Sequence, residues 1–158
     1  CFVRDRNKDG FLRRELGVGD EPGPITDLEG RVLGTHQGLL GYTIGQREGL
    51  GIATGKPLYV VAMDQPHSRL IVGSREDLLG RVLMAERVNW VSIRSPTQPR
   101  RAWAKIRSRH EAAAAWVSPQ RDGGLRVEFD QPQSAITPGQ AVVFYDGELV
   151  LGGGWIAA

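Results

Sequence analysis

Apolar and polar positions alternate in short runs along most of this chain, a period-2 pattern that predicts β-strands rather than amphipathic helices. PLYVVAMD and RLIVG predict a hairpin, with QPHS (Gln65 to Ser68) as its connection. RVLMAERVNWVS reads as a further strand, and the last third adds AWAKIRS, AAAAWVS, LRVEFD, AVVFYD and ELVLGGGWIA. Turn residues separate them: Arg121-Asp122-Gly123-Gly124, Thr137-Pro138-Gly139, and Asp146-Gly147 as a two-residue hairpin loop. Strands spaced this evenly predict a small antiparallel barrel. The alanines from Ala112 to Ala115 favour helix by propensity, but Trp116-Val117 and Pro119 flank them, so both states stay open.

The first half is less regular. FLRREL suits a helical turn or two, which GVGDEPGP then breaks. PITDLEGRVLG carries a turn at Leu28-Glu29-Gly30, and the glycine-rich THQGLLGYTIGQREGLGIATG reads as loops around short elements. In SREDLLG, Ser74 is positioned to N-cap a short helical turn. SPTQPRR, residues 95–101, is a polar connection. The fold class is mainly β: an opening tail over 1–21, a small central β-rich domain over 22–76, and an antiparallel β-barrel over 77–158.

Composition fits this picture. Of 158 residues, 41% are hydrophobic and 24% charged, which suits a globular chain rather than a disordered one. The 21 glycines and 9 prolines favour many tight turns. No apolar run approaches the roughly 18 residues of a membrane span. A net charge of +2 identifies no partner, so local charge must do so. A single cysteine excludes an internal disulfide and favours a reducing, cytoplasmic setting.

DRNKDG begins like a calcium-binding EF-hand loop, with Asp5, Asn7, Asp9 and Gly10 in register. The second half of the loop refutes it. Position 12 needs a bidentate glutamate and is Leu16, and position 9 is the cation Arg13. The stretch reads as a polar turn. Just before it, Cys1 is either a small inert hydrophobe or a reactive thiol whose thiolate Arg4 and Arg6 favour. Three histidines and one cysteine, none at ligand spacing, give no metal site.

RRAWAKIRSRH, residues 100–110, holds the densest charge. On a strand, Arg101, Trp103, Lys105, Arg107 and Arg109 share one face, and Ala102, Ala104, Ile106, Ser108 and His110 the other. No acid occurs from Arg94 to His110. Such a face is either a solvated barrel exterior or a surface for phosphates and stacked bases. The stretch around His36, Gln37, Gln46 and Arg47 lets a backbone approach closely, but lacks the GxxxxGK[ST] of a phosphate-binding loop.

Taken together, CFV, FLRREL, PGPITDLEGRVLGTHQG, YTIGQREGLGI, PLYVV, NWV and TPGQAVVFYDGELVLGGGWI resemble the bacterial and organellar tRNA-specific 2-thiouridylases, the MnmA/TrmU family. The resemblance runs, with gaps, from Cys1 to Ile156, and GQREGLGI with TPGQAVVFYDGELVLGGG is its most specific part. It implies thiolation of the tRNA wobble uridine by a three-part enzyme. An N-terminal ATP-pyrophosphatase domain binds ATP and carries a first catalytic cysteine; a central domain and a barrel similar to those of translation factors hold tRNA. This chain then corresponds to the later portion, with 1–21 as the tail of the catalytic domain. The isolated chain is expected to be inactive.

By the same resemblance, Cys1 carries the persulfide that displaces AMP from an adenylated uridine, with sulfur arriving from a sulfur-carrier protein. Arg107 and Ser108 fall where the family's barrel touches tRNA through an Arg-Tyr pair; Ser108 loses the ring, and Trp103 is a candidate to compensate. Gln140 matches a further tRNA-contacting position. Lys105 and Arg109 complete the tRNA-binding set, and no metal is implied. Two other readings compete: a non-catalytic RNA-binding module with Cys1 incidental, and an N-terminal-nucleophile hydrolase using Cys1. The second needs long helices, which this turn-rich sequence does not support.

Overall fold

A computed structural model describes residues 21–108 and 110–157. Among them every regular element is a strand or a single turn of 3-10 helix, and no helix is long and apolar enough to cross a membrane. The chain divides between Leu78 and Leu79 into two compact units.

The first unit is a four-stranded sheet of β1 (Gly23–Thr26), β2 (Val32–His36), β3 (Tyr59–Asp64) and β4 (Arg69–Gly73). Their order is β2-β1-β4-β3, with β1 and β4 parallel at the centre and antiparallel pairs outside. The β1–β2 turn is built by Asp27, whose Oδ1 accepts from the Glu29 and Arg31 amides while Gly30 takes φ +84°. Between β3 and β4 a 3-10 turn, Gln65–His67, fills the expected connection, and Ser68 closes it in a left-handed conformation. The glycine-rich stretch 37–58 contributes no strand. It covers the sheet instead: Leu39, Tyr42, Leu50, Ile52 and Leu58 pack on Ile25, Val60, Leu70 and Val72. Ser74 does not cap by accepting. Its amide and hydroxyl both donate to Asp77 Oδ2, each at 2.7 Å, because the carboxylate is the stronger acceptor.

One buried histidine ties this sheet together. His36 is 1% exposed. Its Nδ1 accepts from the Gly38 amide at 3.0 Å, so Nε2 carries the proton and donates to the Ser68 carbonyl at 2.9 Å. Tyr42 meets the ring edge-on at 5.9 Å. The sequence thus puts a titratable group in a structural role, satisfied at both nitrogens.

The second unit is a closed antiparallel barrel of β5 (Leu79–Trp90), β6 (Arg100–Lys105), β7 (Ala113–Pro119), β8 (Leu125–Ser134), β9 (Ala141–Asp146) and β10 (Leu149–Ile156). Around the barrel the order is β10-β5-β8-β7-β6-β9. The long β5 serves two neighbours, pairing β8 from Leu79 to Ala85 and β10 from Ala85 to Trp90. Inward positions fill the core with Leu83, Ala102, Ala104, Val117, Val127, Phe129, Val142 and Phe144. Ala113 to Ala115 of the alanine run join β7, and Ala113 and Ala115 pack into the tight interior, where small side chains fit.

Three details differ from the sequence pattern. Strand β6 ends at Lys105, not Ser108: the chain turns there, and the His110 amide donates to the Arg107 carbonyl. The β9–β10 loop is Gly147-Glu148, one residue later than expected, because Asp146 pairs with Leu149 and Gly147 takes φ +58°. Strand β8 runs past LRVEFD to Ser134.

Candidate nucleic-acid interface

Alternation along β6 sorts its side chains. Ala102, Ala104 and Ile106 are buried, whereas Arg101 and Trp103 are exposed and Lys105 and Arg107 half-exposed. Strand β9 lies beside β6 and alternates in phase with it: Val142 and Phe144 point inward, and Val143 and Tyr145 share the outer face with Trp103 and Lys105. The register sets Trp103 opposite Tyr145 and Lys105 opposite Val143.

Two adjoining hollows open on this face. The larger, about 770 Å³, is lined by Lys105, Arg107, Ser108, Gln140 and Tyr145 over an apolar floor of Ile106, Ala141 and Val143. The smaller, about 320 Å³, is lined by Trp103, Lys105, Ala112, Tyr145 and Gly147. Lys105 and Tyr145 belong to both. The structure therefore brings Trp103, Lys105, Arg107, Ser108 and Gln140 around one continuous depression.

The polar groups around it differ in how they are held. Arg107 Nη2 donates to the Ser134 carbonyl at 2.9 Å, which anchors the guanidinium at the rim. Gln140 follows a turn in which its amide donates to the Thr137 carbonyl, with Pro138 at the second position and Gly139 at φ +80°. That is type II geometry, and it delivers the Gln140 side chain to the hollow. Gln140 Oε1 is buried and receives no hydrogen bond from the described residues. Ser108, assigned by simple alternation to the small-residue face, is exposed at the rim because the strand has already ended. Among the described residues Lys105 forms no ion pair, and no acid lines either hollow.

Two other cations of the stretch, Arg100 and Arg101, are paired with acids from other strands. Arg101 forks onto Asp130 at 2.7 and 2.6 Å and lies 5.3 Å above the Trp116 ring. That guanidinium holds the Asp130 carboxyl below the ordinary carboxylate range. Arg100 reaches Asp146 at 3.4 Å. The absence of acids within residues 94–110 is thus a property of the segment and not of the surface; among its described cations Arg94, Lys105 and Arg107 form no ion pair, and Lys105 and Arg107 line the hollow.

Tyr145 escaped the sequence reading. The alternation of AVVFYD puts it on the outer face of its own strand, but its meeting with Trp103 depends on the pairing of β6 with β9, which are far apart in sequence. Cys1 and Arg109 lie outside the described residues. No cluster of three His, Cys, Asp or Glu among the described residues suits a metal.

Residues 80–156 match the aminomethyltransferase beta-barrel domain, and residues 9–74 match the tRNA methyl transferase PRC-barrel domain. The tRNA-specific 2-thiouridylase MnmA of Magnetococcus marinus is 49% identical over 156 residues, covering 99% of this chain and 44% of that protein. The MnmA proteins of Roseiflexus castenholzii and Halothermothrix orenii are 52% and 46% identical, again over 99% of the chain. This chain belongs to the tRNA-specific 2-thiouridylase family. It spans under half the length of these relatives, 42% to 44%. The 2-thiouridylase resemblance and the mainly-β, barrel-containing fold expected from the sequence both stand.

Proposed function

We propose that this chain holds tRNA for 2-thiolation of its wobble uridine, with the barrel's outer depression as the contact surface. The observation that carries this is the convergence of Lys105, Arg107, Ser108 and Gln140 on one acid-free hollow in a chain whose relatives are named tRNA-specific 2-thiouridylases. Lys105 and Arg107 take backbone phosphates, and Arg109 follows them in sequence as a third cation. Gln140 offers an amide, and Trp103 provides a ring beside them. Binding through such cations releases counterions, so affinity falls with salt, and Lys105→Gln or Arg107→Gln lowers both affinity and salt slope.

Cys1 is the proposed sulfur carrier. A cysteine persulfide is a strong nucleophile at neutral pH: its outer sulfur attacks C2 of the adenylated uridine and AMP leaves. The first catalytic cysteine of the N-terminal domain then attacks the Cys1 sulfur, so the S–S bond breaks as a Cys–Cys disulfide forms and the outer sulfur stays on C2. ATP-dependent activation is assigned to the N-terminal domain that the family resemblance implies, and sulfur delivery to a carrier protein that loads Cys1. In the enzyme carrying that domain, Cys1→Ser is expected to abolish thiolation of tRNA while leaving tRNA affinity within about twofold of the parent. Thiolation retained in that variant makes Cys1 incidental and leaves an RNA-binding module.

A further inference from the structure

We propose that the hollow between Trp103 and Tyr145 seats one unpaired base of the RNA whose backbone passes Lys105 and Arg107. This deepens the tRNA-holding reading and rests on it.

The pairing of β6 with β9 puts the Trp103 and Tyr145 side chains directly opposite each other on the outer face. Directly opposed side chains on one face begin about 5 Å apart at Cβ, close enough to build one platform. Yet the two rings do not close on each other. The ring pairs formed among the described residues are His36–Tyr42 and Trp90–Phe144. Trp103 is 51% exposed, and its guanidinium neighbour Arg101 is drawn away onto Trp116 and Asp130.

Small residues keep the space open. Ala112 and Gly147 form the remaining walls, and Gly147 is held at φ +58° by the tight β9–β10 loop, a conformation that disfavours any larger residue. An apolar slot with aromatic walls and one cation suits a flat heterocycle next to a phosphate. Lys105, common to both hollows, stands where that phosphate would lie.

This arrangement discriminates by strandedness. In a duplex every base face is covered by its neighbours, so none can enter the slot. A base in a loop or single strand is free to stack on an aromatic platform. The seat also accounts for Ser108: the chain needs no ring at that turn if Trp103 and Tyr145 supply the stacking surface from the strands.

The test uses the 158-residue chain, a single-stranded RNA of about ten nucleotides without self-complementarity, and the same strand annealed to its complement. Trp103→Ala and Tyr145→Ala are each expected to weaken single-strand binding about tenfold, in line with the stacking energy of one base, and to leave duplex binding within about twofold. Trp103→Phe retains a stacking face, so it should keep most of the affinity while removing the part of the tryptophan fluorescence that the single strand quenches. Undiminished single-strand binding in both alanine variants overturns the seat. So does an equal loss for single strand and duplex, which makes the rings mere supports of the groove. If Lys105→Gln weakens both probes while the ring variants change neither, backbone binding stands and the base seat alone fails. If neither probe binds the parent chain, the tRNA-holding reading falls and the seat with it.

Discussion

Gly23→Ala is expected to destabilise the four-stranded sheet by about 3 kcal/mol, the upper end for inserting one methyl into a packed site. A Cβ at Gly23 would fall 1.7 Å from the Ser68 carbonyl oxygen and 2.9 Å from His36 Nε2. These two atoms are hydrogen-bonded to each other, so the methyl would press on the bond that joins β2 to the β3–β4 turn. Neither partner can yield cheaply. The carbonyl is backbone, Ser68 is already left-handed at φ +47°, and the imidazole is fixed from its other side by Gly38. Gly34 provides an internal control. It pairs with Ile25 in the same sheet, and a Cβ there meets Ile52 Cγ1 at an ordinary 3.5 Å. Gly34→Ala should therefore be neutral, or stabilising by a few tenths of a kcal/mol through the unfolded chain. Thermal melts and amide exchange of β1 and β2 read the difference. Equal behaviour of the two variants would contradict the packing described around His36.

In the barrel the largest loss is expected from Phe144→Ala. Phe144 is fully buried and stacks on Trp90 with ring centroids 5.7 Å apart and planes at 25°. Its cross-strand partners are Ala104 on β6 and Gly152 on β10. With such small neighbours, no adjacent side chain can fill the space the ring leaves. The cost is about 3–5 kcal/mol, a large share of the roughly 5–15 kcal/mol that stabilises a typical domain. Phe144→Leu keeps much of the volume and should cost about 1.5 kcal/mol or less. Val143→Ala, on the half-exposed outer face, should cost less than Phe144→Ala by at least about 1 kcal/mol. Urea unfolding followed by near-UV circular dichroism ranks the three. A ranking with Val143→Ala at or above Phe144→Ala would contradict the inward placement of the ring.

Much of this architecture is legible in the alternation of residues. Alternation in β6 and β9 orients Trp103, Lys105, Val142 and Phe144 correctly, and TPGQ and DLEG announce their turns. What the pattern lacks is neighbourhood. The parallel pairing of β1 with β4 joins strands that the chain visits far apart, and no local signal encodes it. The meeting of Trp103 with Tyr145 and the neutralisation of Arg101 by Asp130 have the same cause. Alternation misplaces Ser108 because it holds only while a strand lasts, and β6 stops at Lys105. The particular partners of His36, the Ser68 carbonyl and the Gly38 amide, are backbone atoms without a sequence signature. The candidate site was therefore visible as a set of residues, but its two-hollow shape and its aromatic wall were not.

The central claim is that the barrel's depression holds tRNA through Lys105 and Arg107. It is tested most directly by titrating tRNA against the chain over a series of salt concentrations, for the parent, Lys105→Gln and Arg107→Gln. Each substitution is expected to weaken binding and to lower the slope of log K against log salt by about 0.9, the loss of one phosphate contact. Affinities and slopes unchanged from the parent in both variants would contradict the claim and return this face of the barrel to solvent.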